Sequence, residues 1–74
     1  MTLEIFLRAL GRNVNYFRKI RGLTQREAAR LSKISYRYFQ KIEAGSTNIT
    51  VSTLFRLVRL LDIHVVDLLP KKPE

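Results

Sequence analysis

Apolar side chains recur at Leu3, Phe6, Leu7, Leu10, Val14 and Phe17, three and four positions apart, which is the stripe of an amphipathic helix. The stripe predicts a first helix from about Leu3 to Arg21. Thr2 suits its N-cap, Arg18, Lys19 and Arg21 suit the negative end of its dipole, and Gly22 suits the left-handed position past its end. Gly11 lies inside the stripe at a cost of about 1 kcal/mol relative to Ala. Either it lets another backbone approach closely, the reading preferred here, or the helix is locally weak.

Thr24-Gln25-Arg26-Glu27 reads as a capping box, in which the Thr24 hydroxyl accepts from the Glu27 amide and the Glu27 carboxylate from the Thr24 amide. A second, shorter helix therefore starts at Gln25. Its apolar positions Ala28, Ala29 and Leu31 are few and mostly small, so it should lie close to its neighbours and end near Ser32. After a three-residue turn, Ser35 is the N-cap of a third helix, Tyr36 onward, which Gly45 stops. Ser46-Thr47-Asn48 is a polar loop. Thr50 opens a fourth helix with Val51, Leu54, Phe55, Val58 and Leu61 at helical spacing, and a single turn from about Val65 to Leu69 is closed by Pro70. The pattern gives an all-α fold of five helices in one domain, residues 1–70, with 71–74 as a flexible tail.

Composition narrows the class. A chain of 74 residues buries only roughly 60% of its unfolded surface, enough for one thin core. No cysteine is present for disulfides or thiolate metal sites, and His64 is the single histidine, so neither a metal site nor a cofactor is expected. No apolar run approaches the roughly 20 residues that span a bilayer, and the N-terminus lacks a secretory apolar region, so the expectation is a cytoplasmic protein without membrane or small-molecule cofactor. No nucleophile–base pair or convergent acidic site stands out, which argues against an enzyme.

Charge points to a partner. Fourteen Lys and Arg against six Asp and Glu give +8. Between Arg8 and Lys41 the basic residues Arg8, Arg12, Arg18, Lys19, Arg21, Arg26, Arg30, Lys33, Arg37 and Lys41 face a single acid, Glu27. Such a concentration suits the neutralisation of phosphates, with release of condensed counterions. Two short helices joined by a tight turn, the second opening at Ser35, also form a geometry that enters a major groove.

The residues Leu23-Thr24-Gln25-x-Glu27-x-Ala29, Ile34-Ser35, Tyr38, Ile42-Glu43, Gly45, Leu54, Leu57 and Leu61 resemble the lambda-repressor-like, Cro-repressor-like (XRE) helix-turn-helix family from about Leu10 to Leu69. The resemblance implies a five-helix DNA-binding domain, usually homodimeric, acting as a sequence-specific transcriptional regulator on double-stranded DNA. The chain departs from the family in four places, one of them His64, which stands where Ser or Thr often caps the last helix. Lys33 stands where Gly is common in the turn, Ala28 and Ser32 replace larger apolar residues, and Asn48-Ile49-Thr50 lacks a frequent Pro, in which respect it is similar to restriction-modification controller proteins.

Carried over residue by residue, the resemblance places Gln25 on a phosphate, with Arg26 beside it at the same helix end. Tyr36, Arg37, Gln40 and Lys41 face outward if Phe39 and Ile42 face the core, and become base-reading and phosphate candidates. Ser35, Ser46, Thr47 and Asn48 complete the expected DNA-binding set, while Tyr38 suits packing and phosphate binding equally. Arg18 and Glu43 match positions that form a partly buried ion pair in many relatives. Apolar surface at Leu60, Ile63, Val65, Val66, Leu68 and Leu69 exceeds what one short turn buries, so a homodimer interface is expected at Leu60, Ile63, Val65, Val66 and Leu69, with Leu3, Ile5, Phe6 and Leu7 as the rival surface. The competing function is a protein-interaction module such as the antitoxin of a toxin–antitoxin pair.

Overall fold

Each helix begins where a hydroxyl is available to receive its first free amides. In the computed structural model, which describes residues 1–71, α1 spans Leu3–Ile20, α2 Gln25–Ser32, α3 Tyr36–Ala44, α4 Val51–Leu61 and α5 Val65–Leu68. Residues 72–74 of the expected tail lie outside the described residues. The side-chain oxygens of Thr2, Thr24, Ser35 and Thr50 accept from the amides of Ile5, Glu27, Tyr38 and Thr53 at 3.1–3.2 Å. At Thr24 the box is complete, its own amide donating to Glu27 Oε1 at 2.9 Å. His64 occupies the corresponding position before α5, where its backbone amide donates to Asp67 Oδ2 at 3.0 Å.

The four longer helices also end alike. Paired bonds fold the chain back over the last turn at Gly22, Lys33, Gly45 and Asp62, for example Lys33 N–H to Arg30 O and Ile34 N–H to Ala29 O. All four residues have positive φ, 69° and 71° for the glycines, 59° for Lys33 and 54° for Asp62. Lys33 therefore adopts a left-handed conformation suited to Gly, which disfavours a side chain by about 1–2 kcal/mol.

α1 packs on α3, α2 lies against α3 and α4, and α5 closes the bottom between α1 and α4. Phe39, Ile42, Leu57, Leu61, Leu68 and Val14 form the fully buried centre. Two expected faces need correction. In α2, Leu31 is half exposed while Ser32 is buried. Ala28, Ala29 and Ser32 share the inward face, and the Ser32 hydroxyl stays satisfied by donating to Ala28 O at 2.6 Å. In α4, Val51 and Phe55 point to solvent, and Thr53, Leu57 and Leu61 turn inward. Leu3, the first member of the α1 stripe, is also exposed, because it precedes the turn that reaches the core.

Gly11 explains how α1 and α3 come together. A Cβ there would collide with the Ile42 carbonyl oxygen and lie 2.6 Å from that of Glu43. The last turn of α3 rests on α1 backbone, so the glycine serves close approach. Gly45 touches the same helix, a Cβ there coming within 2.6 Å of Arg8 Cα.

Gly11→Ala gains about 1 kcal/mol of helix propensity but must push two backbone carbonyls aside, a strain of about 1–3 kcal/mol or more. Chemical denaturation should show net destabilisation; an unchanged or raised midpoint would contradict the close packing. Lys33→Gly should move the opposite way, raising stability by up to about 1 kcal/mol once the added unfolded-state freedom is subtracted.

Candidate nucleic-acid interface

The two helices of the turn are short, with eight residues in α2 and nine in α3, and their mutual orientation is fixed from below by one carboxylate. Glu43, near the end of α3, accepts from Arg18 Nε at 2.6 Å and Nη2 at 3.0 Å, from Asn15 Nδ2 at 2.9 Å and from Gln25 Nε2 at 2.9 Å. Arg18 also donates through Nη1 to Leu23 O at 2.8 Å. The side chains of Arg18 and Glu43 are only 9% and 4% exposed. Three helices thus meet on one carboxylate, and Arg18 ties the loop between α1 and α2 to it. Burial pushes the Glu43 carboxyl up, but the hydrogen bonds from Arg18, Asn15 and Gln25, with the Arg18 charge, outweigh it and hold the pKa below its ordinary 4.5.

On the other side of α3, Phe39 and Ile42 point into the core and Arg37, Gln40 and Lys41 into solvent. None of those three side chains has a hydrogen bond or ion pair within the described residues. Tyr36, half-buried at the start of the helix, lies beneath the Arg26 guanidinium, whose carbon is 4.2 Å from the ring centre. Ser35 caps α3, and its oxygen is occupied by the Tyr38 amide. Tyr38 packs against the core and donates its hydroxyl to Asn48 O at 3.0 Å, bracing the loop after α3. In that loop Ser46 and Asn48 are exposed and Thr47 is half-buried.

Gln25, expected on a phosphate, instead directs its side-chain amide at Glu43. The network leaves its second N–H and its carbonyl oxygen for other partners. Asn15 was not singled out from the sequence, although it stands one turn before Arg18 and so shares its face. The contact between Arg26 and Tyr36 had no sequence signal, since it joins residues of different helices.

The residues expected at a dimer interface do not form one surface. Leu60 lines a groove with Leu31, Phe55 and Arg59, whereas Val66 and Leu69 border a concavity against Ile5, Ala9 and Tyr16 of α1. Leu68, counted in the apolar excess, is completely buried, and Ile63 and Leu69 pack against the core, which leaves Val65 and Val66 exposed. The excess is smaller than expected because Leu68 is buried between α1 and α4 and the flanking Ile63 and Leu69 are partly covered. Among the described residues no helix is long and apolar enough to cross a membrane, and no cluster of metal-ligating side chains occurs.

Arg18→Ala should cost about 3–5 kcal/mol in denaturation, because it strands a buried carboxylate, against less than about 1 kcal/mol for an exposed pair. The pH dependence has a definite sign. Since Glu43 titrates lower in the folded than in the unfolded chain, its stabilisation is complete above about pH 4.5 and fades as pH falls below that value. The stability gap between wild type and Glu43→Gln should therefore narrow below that pH; a constant gap would contradict the linkage.

The chain matches the model of the helix-turn-helix family over residues 14–68. It is 35% identical over 65 residues to an uncharacterized HTH-type transcriptional regulator of Sinorhizobium fredii, covering 88% of this chain and 84% of that one. It is also 33% identical to Control protein C.SmaI of Serratia marcescens, covering 85% of this chain and 75% of the relative. Among solved structures, the restriction-modification controller protein C.AhdI of Aeromonas hydrophila superposes with a TM-score of 0.81 at 29% identity, over 84% of this chain and 94% of its own. The clp gene regulator ClgR of Corynebacterium glutamicum gives 0.80 at 29% identity, over 92% and 69%. These relatives are regulators and not enzymes. A capped helix pair set on a buried Arg18–Glu43 pair, matched by a family model through most of its length, places the chain in the helix-turn-helix family, among transcriptional regulators of the XRE type.

Proposed function

We propose that this regulator is cytoplasmic and binds a pseudo-palindromic DNA operator as a homodimer, laying α3 in the major groove. The observation that carries the reading is the outward face of α3, where Arg37, Gln40 and Lys41 stand exposed and unengaged above a buried Phe39 and Ile42. Arg37 offers a bidentate fork to guanine O6 and N7, and Gln40 can pair with adenine N6 and N7. Lys41 supplies charge to the backbone. Gln25, Arg26, Ser35, Ser46, Thr47 and Asn48 flank this face from the start of α2 and α3 and from the following loop, the places from which this motif grips phosphates, and Tyr36 lies beneath Arg26 at the same end.

Likeness to two controller proteins supports a role in regulation. Among Leu60, Ile63, Val65, Val66 and Leu69, the residues expected at a dimer interface, the seam is assigned to the α5 side, where Val65 and Val66 leave the most apolar surface exposed. A two-fold pairing would set the two copies of α3 about 34 Å apart, one turn of DNA. Sedimentation that finds only monomer at roughly tens of micromolar would overturn this assignment.

Selection on randomised duplexes should yield an operator with two related half-sites. Against single-base variants of it, Arg37→Ala should lose about 1–3 kcal/mol and relax preference at one base pair of each half-site. Lys41→Ala should weaken all sequences alike and lower the salt slope by about one unit per lost contact. A uniform loss for Arg37→Ala would reassign that residue to the backbone, and an absence of any duplex binding would refute the function.

A further inference from the structure

The placement of Arg26 over Tyr36 joins the first turn of α2 to the first turn of α3. The guanidinium carbon lies 4.2 Å from the ring centre, well inside the range at which the ring quadrupole attracts a cation. Tyr36 is itself held, half-buried and packed on the core, so the ring is a fixed platform. Arg26 is exposed, and its five N–H donors have no hydrogen-bonding partner among the described residues. It stands beside the amides of the α2 N-terminus, where the helix macrodipole favours an anion. An unrestrained arginine in that place loses side-chain freedom when it grips a phosphate; one already resting on a ring loses less.

We propose that Tyr36 is a positioning residue, whose ring holds the Arg26 guanidinium ready to clamp a DNA backbone phosphate at the start of α2. The inference rests on the DNA-binding reading and adds to it a division of labour. Tyr36 acts on affinity through Arg26, and not by a base contact of its own. The ring is required and the hydroxyl is not.

Equilibrium binding of a fluorescent operator duplex to wild type, Tyr36→Phe, Tyr36→Leu, Arg26→Ala and the Arg26→Ala/Tyr36→Leu double variant tests this, with far-UV circular dichroism and thermal melts confirming that each is folded. Tyr36→Phe should keep wild-type affinity and salt slope. Tyr36→Leu should weaken binding by roughly two- to fivefold, by the same factor on every single-base operator variant. In the Arg26→Ala background the Tyr36→Leu change should have no further effect. A Tyr36→Leu loss that persists without Arg26, depends on the base variant, or is shared by Tyr36→Phe overturns the proposal while leaving DNA binding intact. Should Tyr36→Leu fail to fold, Tyr36→Met, which fills more of the ring's volume without a π face, takes its place in the same comparison. A wild type that binds no duplex overturns the DNA reading itself.

Discussion

The Glu43 carboxylate is the constraint on which the rest of this small domain depends. Helices of eight and nine residues fall short of the roughly 12–15 needed for even marginal stability alone, so α2 and α3 must take their order from contacts. The apolar core alone leaves their relative angle loosely specified, because α2 brings mainly Ala28 and Ala29 to it. A buried anion with four donors is stricter: each bond is directional, and each is lost if a helix shifts by an ångström or so. Donors from α1 and α2 converge on an acceptor from α3, so the long helix becomes the reference against which both short ones are set.

Steric terms work in the same direction. Gly11 lets the end of α3 sit directly on α1 backbone, and that approach brings Glu43 within reach of Asn15 and Arg18. A further set of bonds fixes the periphery: Asn13 reaches Leu68 O at 2.9 Å, and Arg21 reaches Leu61 O at 3.1 Å and Asp62. The outcome is a helix with two faces of different duty. Phe39 and Ile42 hold it in place, while Arg37, Gln40 and Lys41 are exposed and are the side chains proposed to meet DNA.

Much of this was legible in the sequence, for reasons specific to each feature. Helix ends were readable because hydroxyl caps and left-handed closures are local chemistry, and all four capped helices begin at the expected Thr or Ser. The direction of α4 was not. With seven apolar residues in eleven positions the apolar arc of α4 is wide, and spacing counts Val51 and Phe55 at its edge together with Leu57 and Leu61 at its buried centre. Thr53 occupies the inner face because Thr50 Oγ1 satisfies its hydroxyl at 3.0 Å, a cap contact that hydropathy ignores. At the interface, the side chains of Arg37, Gln40 and Lys41 were placed from the phase of Phe39 and Ile42. The turn of Gln25 toward Glu43 and the stacking of Arg26 on Tyr36 depend on tertiary geometry, which no spacing encodes.

Glu43 sets the helices only as an ionised carboxylate inside the fold, held there by its donors against the cost of burial. Titration of its side-chain carboxyl carbon by nuclear magnetic resonance reads that state directly. The midpoint should lie below the ordinary 4.5 of a free glutamate side chain, and it should rise when Arg18 is replaced. A midpoint at or above that value in the folded wild type would mean that burial prevails over the hydrogen bonds, and the carboxylate could not be the charge that sets the helices in place.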